Sequence, residues 1–319
     1  MRVISPSFEI LTELDKSSMA SRIEICGRVC YKSEEKITAD SAEPFIKNVL
    51  KRKHNSVAEM AVLSIEIAID QQSYIGHFFE VIPRYFAIDS VDKKVLMITG
   101  SVRAFRELFI DNPAVKVVKG ITAFLGNRYP LFFDDLKPKS GWMPQTGIKI
   151  RKMPLAEVDS LPVAQLAKHR FIAVKFITNR AVTHEIVRHR PCSFLQESQR
   201  YCRYDKNQFG NEVTFIKPLF FEDGSPEYAI WEKAMQDTEA MYLELLKTSS
   251  PQAARTILPN SCKTEIVVYA SLAEWSHIFM QRTSPAAEPS MRELMIPLLA
   301  EFKGIFPTVF AEVMSAVRP

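Results

Sequence analysis

The sequence predicts an α+β fold, and three separate stretches support this class. Residues 63–70 alternate apolar and polar side chains, which is the period of a half-buried strand. Residues 171–178, FIAVKFIT, are strand-like. A long helix is predicted from about residue 226 to residue 246, and the final third of the chain is mostly helical. Strands and helices therefore occur together in a chain of 319 residues, which is long enough for a sizeable core.

Two capping-box patterns, each a serine followed three positions later by a glutamate, predict helix N-termini. One is formed by Ser56 and Glu59, shortly before the strand at 63–70, and the other by Ser271 and Glu274. The side chains predicted to be buried behind the second pattern are Trp275 and Phe279. An earlier helix is predicted to begin at residues 40–44, DSAEP, which places a proline in its first turn.

Residues 72–165 differ in character from the rest of the chain. Prolines recur through this stretch, and only short helical pieces such as residues 101–109, SVRAFRELF, lie between them. We interpret the stretch as an insertion that forms a mixed subdomain. The chain is then a single domain of residues 1–319, interrupted at about residues 72–165.

Regular structure resumes at about residue 170. Residues 179–190, NRAVTHEIVRHR, predict a helix that Pro191 stops, and a loop follows. Residues 264–271, TEIVVYAS, are compatible with either a strand or a helix.

Charge and cysteine content argue against several classes of protein. With 41 Lys+Arg and 37 Asp+Glu, the net charge of +4 is too small to indicate a nucleic-acid coat. No apolar run approaches the roughly 18 residues of a membrane span. The five cysteines are an odd number without C-x-x-C pairs, which favours neither a disulfide framework nor a zinc site. We therefore expect a cytoplasmic protein without a metal ion that binds neither nucleic acid nor membrane.

A local excess of cations marks residues 184–205. From residue 188 onward this segment holds four arginines and one histidine against a single glutamate before the final aspartate. On the predicted helix, Glu185, Arg188 and His189 are spaced i, i+3 and i+4 and share a face. A structural alternative is that these cations complement the helix macrodipole. The following loop adds side chains that bind phosphates or base edges, namely Ser193, Gln196, Ser198 and Arg200. Fork-shaped guanidinium groups beside hydroxyls favour a compact phosphate over a diffuse polyanion.

The same segment carries a family signature. Arg188, His189 and Arg190, followed after seven residues by Ser198, reproduce the R-H-R-x7-S pattern of the flavin-dependent thymidylate synthases. The surrounding sequence is similar to that family at nearly every step. The resemblance covers roughly residues 40–70 and 165–300.

Three further segments resemble the family in the same order along the chain. KHNSVAEMA resembles its H-x-[ST]-x-x-E-H segment at His54, Ser56 and Glu59. Met60 stands where a histidine is usual. SPQAARTILPNS resembles the A-R-x-x-L-P segment and places Arg255 on the nucleotide-binding arginine. LAEWSHIFMQR resembles the helix that carries a flavin-contacting residue, here His277, and ends in the catalytic arginine, here Arg282.

The resemblance implies a fold, a reaction and an assembly. The fold would be an antiparallel sheet flanked by helices, and the protein would be an enzyme, a methyltransferase that converts dUMP to dTMP by reductive methylation at C5. Methylenetetrahydrofolate would donate the carbon, reduced FAD the hydride, and NADPH would re-reduce the flavin. The sites would be shared between the subunits of a homotetramer.

The resemblance also assigns roles to individual residues, with Arg282 as the catalytic one. The residues expected to bind the nucleotide are Glu185, Arg188, Gln196, Ser198, Gln199, Arg200, Arg255 and Arg282. The residues expected to contact the flavin are His54, Ser56, Glu59, Arg188, His189, Arg190, Gln196, Ser271 and His277. Cys192 lies within the signature, and the neighbouring arginines would lower the pKa of its thiol. The family signature does not require this cysteine, so we do not expect it to be a nucleophile.

Two positions depart from the family pattern and leave alternatives open. Members often carry an Asn and an Arg where this chain has Ser271 and Ala273, so a cation near the flavin is missing. Arg103, in the similar short pattern GSVRAFREL, is a candidate to compensate. The alternatives are an enzyme that alkylates another uridine nucleotide or hydroxymethylates dUMP, and a catalytically inactive relative. A nucleic-acid-binding module, whose affinity would fall steeply with salt, is a further alternative.

Overall fold

The computed structural model of the chain describes residues 1–52, 54–81, 85–206 and 210–315. The strands are β1 (Arg2–Ile4), β2 (Ser7–Ile10), β3 (Val62–Ile69), β4 (Phe86–Asp92), β5 (Val95–Ser101), β6 (Ile148–Lys152), β7 (Phe171–Asn179), β8 (Ser193–Gln196), β9 (Thr214–Ile216) and β10 (Lys263–Ser271). The helices are α1 (Met19–Val29), α2 (Ala42–Lys51), α3 (Gln72–Glu80), α4 (Val102–Asp111), α5 (Lys116–Arg128), α6 (Pro130–Phe133), α7 (Leu155–Asp159), α8 (Val163–His169), α9 (Arg180–Ile186), α10 (Pro226–Thr248), α11 (Pro251–Ala254), α12 (Leu272–Arg282), α13 (Pro289–Ile305) and α14 (Pro307–Phe310). Short 3₁₀ turns cover Thr12–Lys16, Glu34–Lys36, Asn55–Met60, Asp134–Leu136, Arg255–Ile257 and Glu312–Ser315.

Most of the described strands belong to two four-stranded sheets, and both sheets are antiparallel throughout. Sheet I has the order β4-β5-β3-β6, and sheet II has the order β2-β7-β10-β8. The remaining pair, β1 and β9, is parallel. Helices pack against both sheets, including α4 and α5 on sheet I and α1 and α12 on sheet II. The α+β class predicted from the sequence is therefore confirmed.

Strand β3 is the alternating strand that the sequence predicts. Ile65, Ile67 and Ile69 are buried, whereas Glu66 between them is partly exposed. Ser64 breaks the alternation because it is buried too. Its hydroxyl lies 2.6 Å from Thr99 Oγ1 on the neighbouring strand, so the polar group is hydrogen bonded rather than solvated.

Strand β10 is the stretch for which the sequence left strand and helix open. It lies between β7 and β8, and its seven residues from Thr264 to Ala270 are all buried. A strand that is covered on both faces has no polar side and shows no alternation. This explains why periodicity did not separate strand from helix here.

The helix predicted to continue to Pro191 ends earlier. Helix α9 ends at Ile186, with Val187 as its C-cap, five residues before Pro191. The prediction that Glu185, Arg188 and His189 share a helical face is therefore wrong. Arg188 still reaches Glu185 across the turn, with 3.1 Å between Nη2 and Oε1.

One of the two predicted capping patterns forms. Ser271 Oγ accepts a hydrogen bond of 3.2 Å from the backbone N–H of Glu274 and caps α12. Ser56 instead lies inside the 3₁₀ turn Asn55–Met60, which has no side-chain cap. Only Ala61 separates this turn from β3, so no α-helix can form between them.

Other predicted elements are confirmed, and the shortest ones were missed. The helix begun at residues 40–44 is α2, the long helix near 226–246 is α10, and FIAVKFIT lies in β7. The loop predicted after Pro191 contains β8 and β9, and β1 and β2 precede the first predicted helix. Strands of three or four residues are too short to show a period of two.

Two large cores hold the sheets, and the first is shared, because it includes Leu195, Val267 and Tyr269 of sheet II. In this first core, α4 and α5 pack on sheet I around buried aromatics such as Phe105. In the other, α12 and α13 pack on sheet II, where Trp275, Phe279 and Phe302 form aromatic contacts. Trp275 and Phe279 are completely buried, as predicted. None of the described helices is long and apolar enough to cross a membrane.

Residues 72–165 are built into sheet I. They provide β4, β5 and β6, and β5 and β6 pair with β3 on its two edges. Sheet I thus combines one strand from outside this stretch with three from inside it.

Candidate active site

Arg282, the residue predicted to be catalytic, is held by two other predicted residues. Its Nη1 donates to Glu185 Oε2 at 3.0 Å and its Nη2 to the Glu185 carbonyl oxygen at 2.9 Å. Its Nε donates to His189 Nε2 at 3.0 Å. A guanidinium has five N–H groups, so these three bonds leave two for a ligand. The side chain is only 15% exposed, and its direction is fixed.

His189 is neutral and serves as an acceptor. Because Nε2 accepts from Arg282, the ring proton lies on Nδ1, which is 3.9 Å from Glu274 Oε1. Burial, followed by the electrostatic effects of Arg282 and His277, lowers the pKa of His189 to about 4. The imidazole therefore orients Arg282 without adding a competing charge near pH 7.

The same histidine belongs to a cluster with metal-ligand chemistry. One ligand atom from each of His189, Glu274 and His277 lies within 4.8 Å of the others. A metal on Nε2 of His189 would displace the hydrogen bond from Arg282, and a metal on Nδ1 would require that nitrogen to lose its proton. The neighbouring guanidinium would also repel a cation. The cluster is better suited to orienting Arg282 than to binding a metal.

A cavity of about 560 Å³ is lined by residues of both sheets, and we call it the two-sheet cavity. Three of the predicted flavin-contacting residues line it, namely Glu59, Arg190 and Ser271. Its apolar and aromatic walls include Val62, Phe86, Ile88 and Phe171. Ser271 caps the N-terminus of α12 and Arg282 ends the same helix, so the cavity and Arg282 are joined by one helix about 16 Å long.

The two-sheet cavity suits a flavin dinucleotide, which joins flat rings to a charged diphosphate. Apolar and aromatic walls match the rings. Arg190 is accompanied by Arg103 and by the hydroxyl groups of Ser193 and Ser271, all of them donors to phosphate oxygens. The residues present therefore fit FAD, and they include one arginine, Arg103, from outside the family signature.

The signature serine and its neighbour anchor the turn after β8. The backbone N–H of Ser198 donates to the carbonyl of Cys30 at 3.0 Å. Gln199 is buried, and its Nε2 donates to Cys262 Sγ at 3.4 Å. The side chain of Gln199 is thus engaged in the interior rather than directed to solvent.

Arg200 and Arg255 are placed on adjoining segments. Arg200 is exposed, and its Nε donates to Gln252 Oε1 at 3.4 Å. Gln252 lies in α11, and Arg255 follows that helix directly. Among the described residues, the Arg255 guanidinium has no hydrogen-bond or ion-pair partner. Two cations are therefore available to one anionic ligand at this place.

Unlike Glu59, His54 and Ser56 do not line the two-sheet cavity. His54 Nδ1 lies 3.2 Å from the hydroxyl of Tyr31, and the Tyr31 ring packs edge-on against Tyr201 at 5.5 Å. Ser56 is exposed. His54 is thus joined through Tyr31 to the turn that carries Arg200.

Gln196 is fixed within sheet II. Its Nε2 donates to Thr183 Oγ1 at 3.0 Å and to Thr264 Oγ1 at 3.2 Å. Both amide hydrogens are engaged, which leaves the carbonyl oxygen Oε1 as the group that can meet a ligand.

Cys192 does not have the properties of a nucleophile. Burial, followed by the negative charge of Glu274, raises the pKa of its thiol well above the usual range. The expectation that Arg188 and Arg190 would lower this pKa is wrong, because burial and the charge of Glu274 determine its direction.

Sequence reasoning gave no ligand-site role to Glu274, which was predicted only as part of a capping box. It faces His189 because α12 runs alongside residues 188–190. The i, i+3 spacing of Glu274 and His277 on a predicted helix was the signal that could have placed them together.

The site thus consists of an arginine held in one direction and of a cavity with cations and aromatic walls, joined by one helix of an α+β protein. The sequence profile described as "Thymidylate synthase complementing protein" matches residues 162–308. The flavin-dependent thymidylate synthase of Mycobacterium sp. (strain JLS) is 31% identical over 180 residues, which are 50% of this chain and 67% of the relative. That of Mycobacteroides abscessus is 31% identical over 174 residues, 49% of this chain and 66% of the relative. That of Pyrococcus abyssi is 38% identical over 124 residues, which are 39% of this chain and 50% of the relative.

The chain belongs to the flavin-dependent thymidylate synthase family. It spans about half to two thirds of the length of the curated relatives named above. The matched profile begins at residue 162, so sheet I and its helices lie outside the matched region.

Proposed function

We propose that this protein is a flavin-dependent thymidylate synthase, which methylates dUMP at C5 to give dTMP. Methylenetetrahydrofolate is the carbon donor, FAD the cofactor and NADPH the reductant. The observation that carries the proposal is the fixed position of Arg282, which Glu185 and His189 hold with two N–H groups left for a ligand. In support, the two-sheet cavity at the other end of α12 fits FAD.

The proposed role of Arg282 is to stabilise negative charge on the uracil ring. The C5 atom of uracil is a poor nucleophile, and it gains electron density when the N3 proton is lost. A guanidinium already aimed at the ring stabilises that charge without reorganising during the reaction. The carboxylate of Glu185 and the neutral ring of His189 hold the guanidinium in this direction. The flavin supplies hydride when it is bound.

The remaining residues are proposed to position the two ligands. Ser198, Arg200 and Arg255 hold the nucleotide phosphate, and Arg188 and Gln196 complete that site. Gln199, whose side chain is bound in the interior, supports the turn that carries Arg200. Glu59, Arg190 and Ser271 line the two-sheet cavity, which is the proposed flavin site. The resemblance also assigns His54, Ser56, His189 and His277 to the flavin, although none of them lines this cavity. In this proposal residues 72–165 are an insertion relative to shorter relatives.

The decisive experiment is product analysis with purified protein. We expect dTMP when dUMP, methylenetetrahydrofolate, FAD and NADPH are all present, and none when any one is omitted. A hydroxymethylated product, or turnover of another uridine nucleotide in place of dUMP, would favour the alternative enzyme. Bound flavin without any product would favour a catalytically inactive relative.

Arg200→Ala is expected to raise the KM for dUMP about tenfold with little change in kcat. A phosphate contact stabilises ground state and transition state alike, and an exposed cation contributes only modestly. Steady-state kinetics on Arg200→Ala and on Arg203→Ala test this. Arg203 is a suitable control because it lies three residues further on and pairs with Asp205 at 2.7 Å. An unchanged KM for Arg200→Ala would remove Arg200 from the phosphate site.

The assembly is also part of the proposal. The family resemblance implies a homotetramer with sites shared between subunits. Each chain contains two four-stranded sheets of like order, and this favours a homodimer as a second candidate. A homodimer of this chain would hold four such sheets, as many as a tetramer of chains with one sheet each. Sedimentation velocity at micromolar concentration distinguishes the two by mass.

A further inference from the structure

Three strands of each four-stranded sheet repeat one arrangement, whereas the fourth strand follows them along the chain in sheet I (β6) and precedes them in sheet II (β2). In sheet I the first residue of β3, Val62, pairs with Ser101 at the end of β5. In sheet II the first residue of β7, Phe171, pairs with Ser271 at the end of β10. A helix follows each of these four strands. In each sheet a further strand pairs with the other edge of the strand that ends in the serine. This further strand is β4, which pairs with β5, in sheet I and β8, which pairs with β10, in sheet II.

The two strand-to-helix junctions match residue by residue. Ser101 Oγ accepts from Ala104 N at 3.1 Å and caps α4, as Ser271 caps α12. The first helical residues, Val102 and Leu272, are both completely buried. Phe105 and Trp275, three residues further on, are buried as well. In this correspondence Arg103 of the first copy stands where the second copy has Ala273.

The two-sheet cavity is lined by corresponding residues of both copies. Val62, Ser101 and Arg103 come from the first copy. Phe171, Ser271 and Ala273 come from the second. A ligand in this cavity therefore contacts the N-termini of both α4 and α12. The first copy contributes Arg103 to the cavity, whereas the second copy contributes Ala273, which carries no charge.

Arg103 is oriented by two carboxylates and keeps one amino group available. Its Nε donates to Glu107 Oε1 at 2.7 Å and its Nη1 to Glu59 Oε1 at 2.6 Å. Its Nη2 makes no hydrogen bond with any of the described residues. The side chain is 37% exposed, so a ligand in the cavity can reach it.

We infer that Arg103 supplies, from the first copy, the cation that binds the flavin diphosphate in the two-sheet cavity. It takes the place of the arginine missing at Ala273. The inference rests on the proposed function, and it makes the stretch 72–165 a contributor to the cofactor site. Glu59, which the resemblance assigns to the flavin, then acts by directing Arg103.

The test is FAD affinity, measured by flavin fluorescence on the full-length chain without substrates. We expect Arg103→Ala to weaken FAD binding about 10- to 100-fold, as for a lost charge-assisted contact. Riboflavin, which has no phosphate, should bind both proteins equally. Arg151→Ala is the matched control, because Arg151 also bridges two glutamates, Glu66 and Glu157, but does not line the cavity.

Two double variants separate a direct contact from charge balance. Arg103→Ala with Glu107→Gln removes one positive and one negative charge, and we expect FAD binding to stay weak. Arg103→Ala with Ala273→Arg returns a cation from the second copy, and we expect most of the affinity to return, because Ala273 is exposed and lines the cavity.

The outcomes distinguish this inference from the proposed function. If the wild-type chain binds no FAD, the proposed function fails and the inference with it. If the wild type binds FAD and Arg103→Ala binds it equally well, the inference alone is overturned. Recovery of affinity in the Arg103→Ala, Glu107→Gln variant would also overturn it, since Arg103 would then only balance a carboxylate. Failure of Ala273→Arg to restore binding would contradict the correspondence of the two positions.

Discussion

Arg282→Ala is expected to lower kcat for dTMP formation about 100- to 1000-fold while the KM for dUMP changes little. Negative charge on the pyrimidine grows only as the methyl acceptor is activated, so the contact with Arg282 is strongest in the transition state. An interaction of that kind affects turnover rather than ground-state binding.

The size of this effect follows from how Arg282 is held. Three hydrogen bonds to Glu185 and His189 fix the guanidinium plane, and the side chain is largely shielded from water. Lysine at this position should restore only a small part of the rate. An ammonium cannot donate to Glu185 and His189 and still present two parallel N–H groups to a ligand.

Steady-state kinetics at saturating methylenetetrahydrofolate measure the effect, with flavin absorbance recorded for each variant so that cofactor loss is not mistaken for slow chemistry. Arg151→Ala, which alters an exposed arginine of sheet I, should leave kcat unchanged. A raised KM with kcat intact in Arg282→Ala would place Arg282 in substrate binding and remove its catalytic role.

The grouping around Arg282 was predictable only in part. The signature pointed to His189, the resemblance of LAEWSHIFMQR pointed to Arg282, and the sequence around the signature pointed to Glu185 as expected site residues, because short motifs retain the residue types that the chemistry needs. They did not show that His189 accepts from Arg282, since residues 189 and 282 are far apart in the chain. The prediction that Glu185, Arg188 and His189 share a helical face was wrong because α9 ends at Ile186.

The repeated sheet could not be predicted from periodicity. Strand β3 and its counterpart β7 have the same burial pattern over their first eight residues, and β5 and its counterpart β10 are both buried except at their end residues. Patterns of this kind occur in unrelated strands, so the repeat is defined by backbone pairing and a capping serine. Such features become visible only when Val62 is seen opposite Ser101 and Phe171 opposite Ser271.

A largely buried ionic network near the turn that carries Ser198 and Arg200 could not be predicted from the sequence for a related reason. Glu265 Oε1 accepts from Lys263 at 2.6 Å and from Lys32 at 2.8 Å. Lys175 Nζ lies 2.9 Å from Oε2, but it is not aligned for a hydrogen bond. Lys263 also donates to Glu197 at 2.9 Å, just before the turn that begins at Ser198. These residues are scattered from position 32 to position 265, so no local pattern gathers them.

Glu265→Gln is expected to destabilise the fold by about 3 kcal/mol at pH 7, because it leaves partly buried ammonium groups without the buried carboxylate that they share. Glu265 is 5% exposed, so solvent screens this loss very little. Urea denaturation followed by circular dichroism measures the change. Glu157→Gln is the control, since Glu157 pairs with Arg151 at the surface and its loss should cost less than about 1 kcal/mol.

The effect of Glu265→Gln should also depend on pH, with a definite sign. Burial alone would raise the pKa of Glu265, but the ammonium groups of Lys263 and Lys32 outweigh it and hold the pKa well below its usual value of 4.5. A carboxyl whose pKa is lowered in the folded state stabilises the fold fully above its unfolded pKa and progressively less as pH falls below it. The wild type should therefore lose stability below about pH 4.5 more steeply than Glu265→Gln, and the difference between them should shrink toward acid pH. A difference that stays constant from pH 7 to pH 3 would show that the loss comes from packing and not from the charge of Glu265.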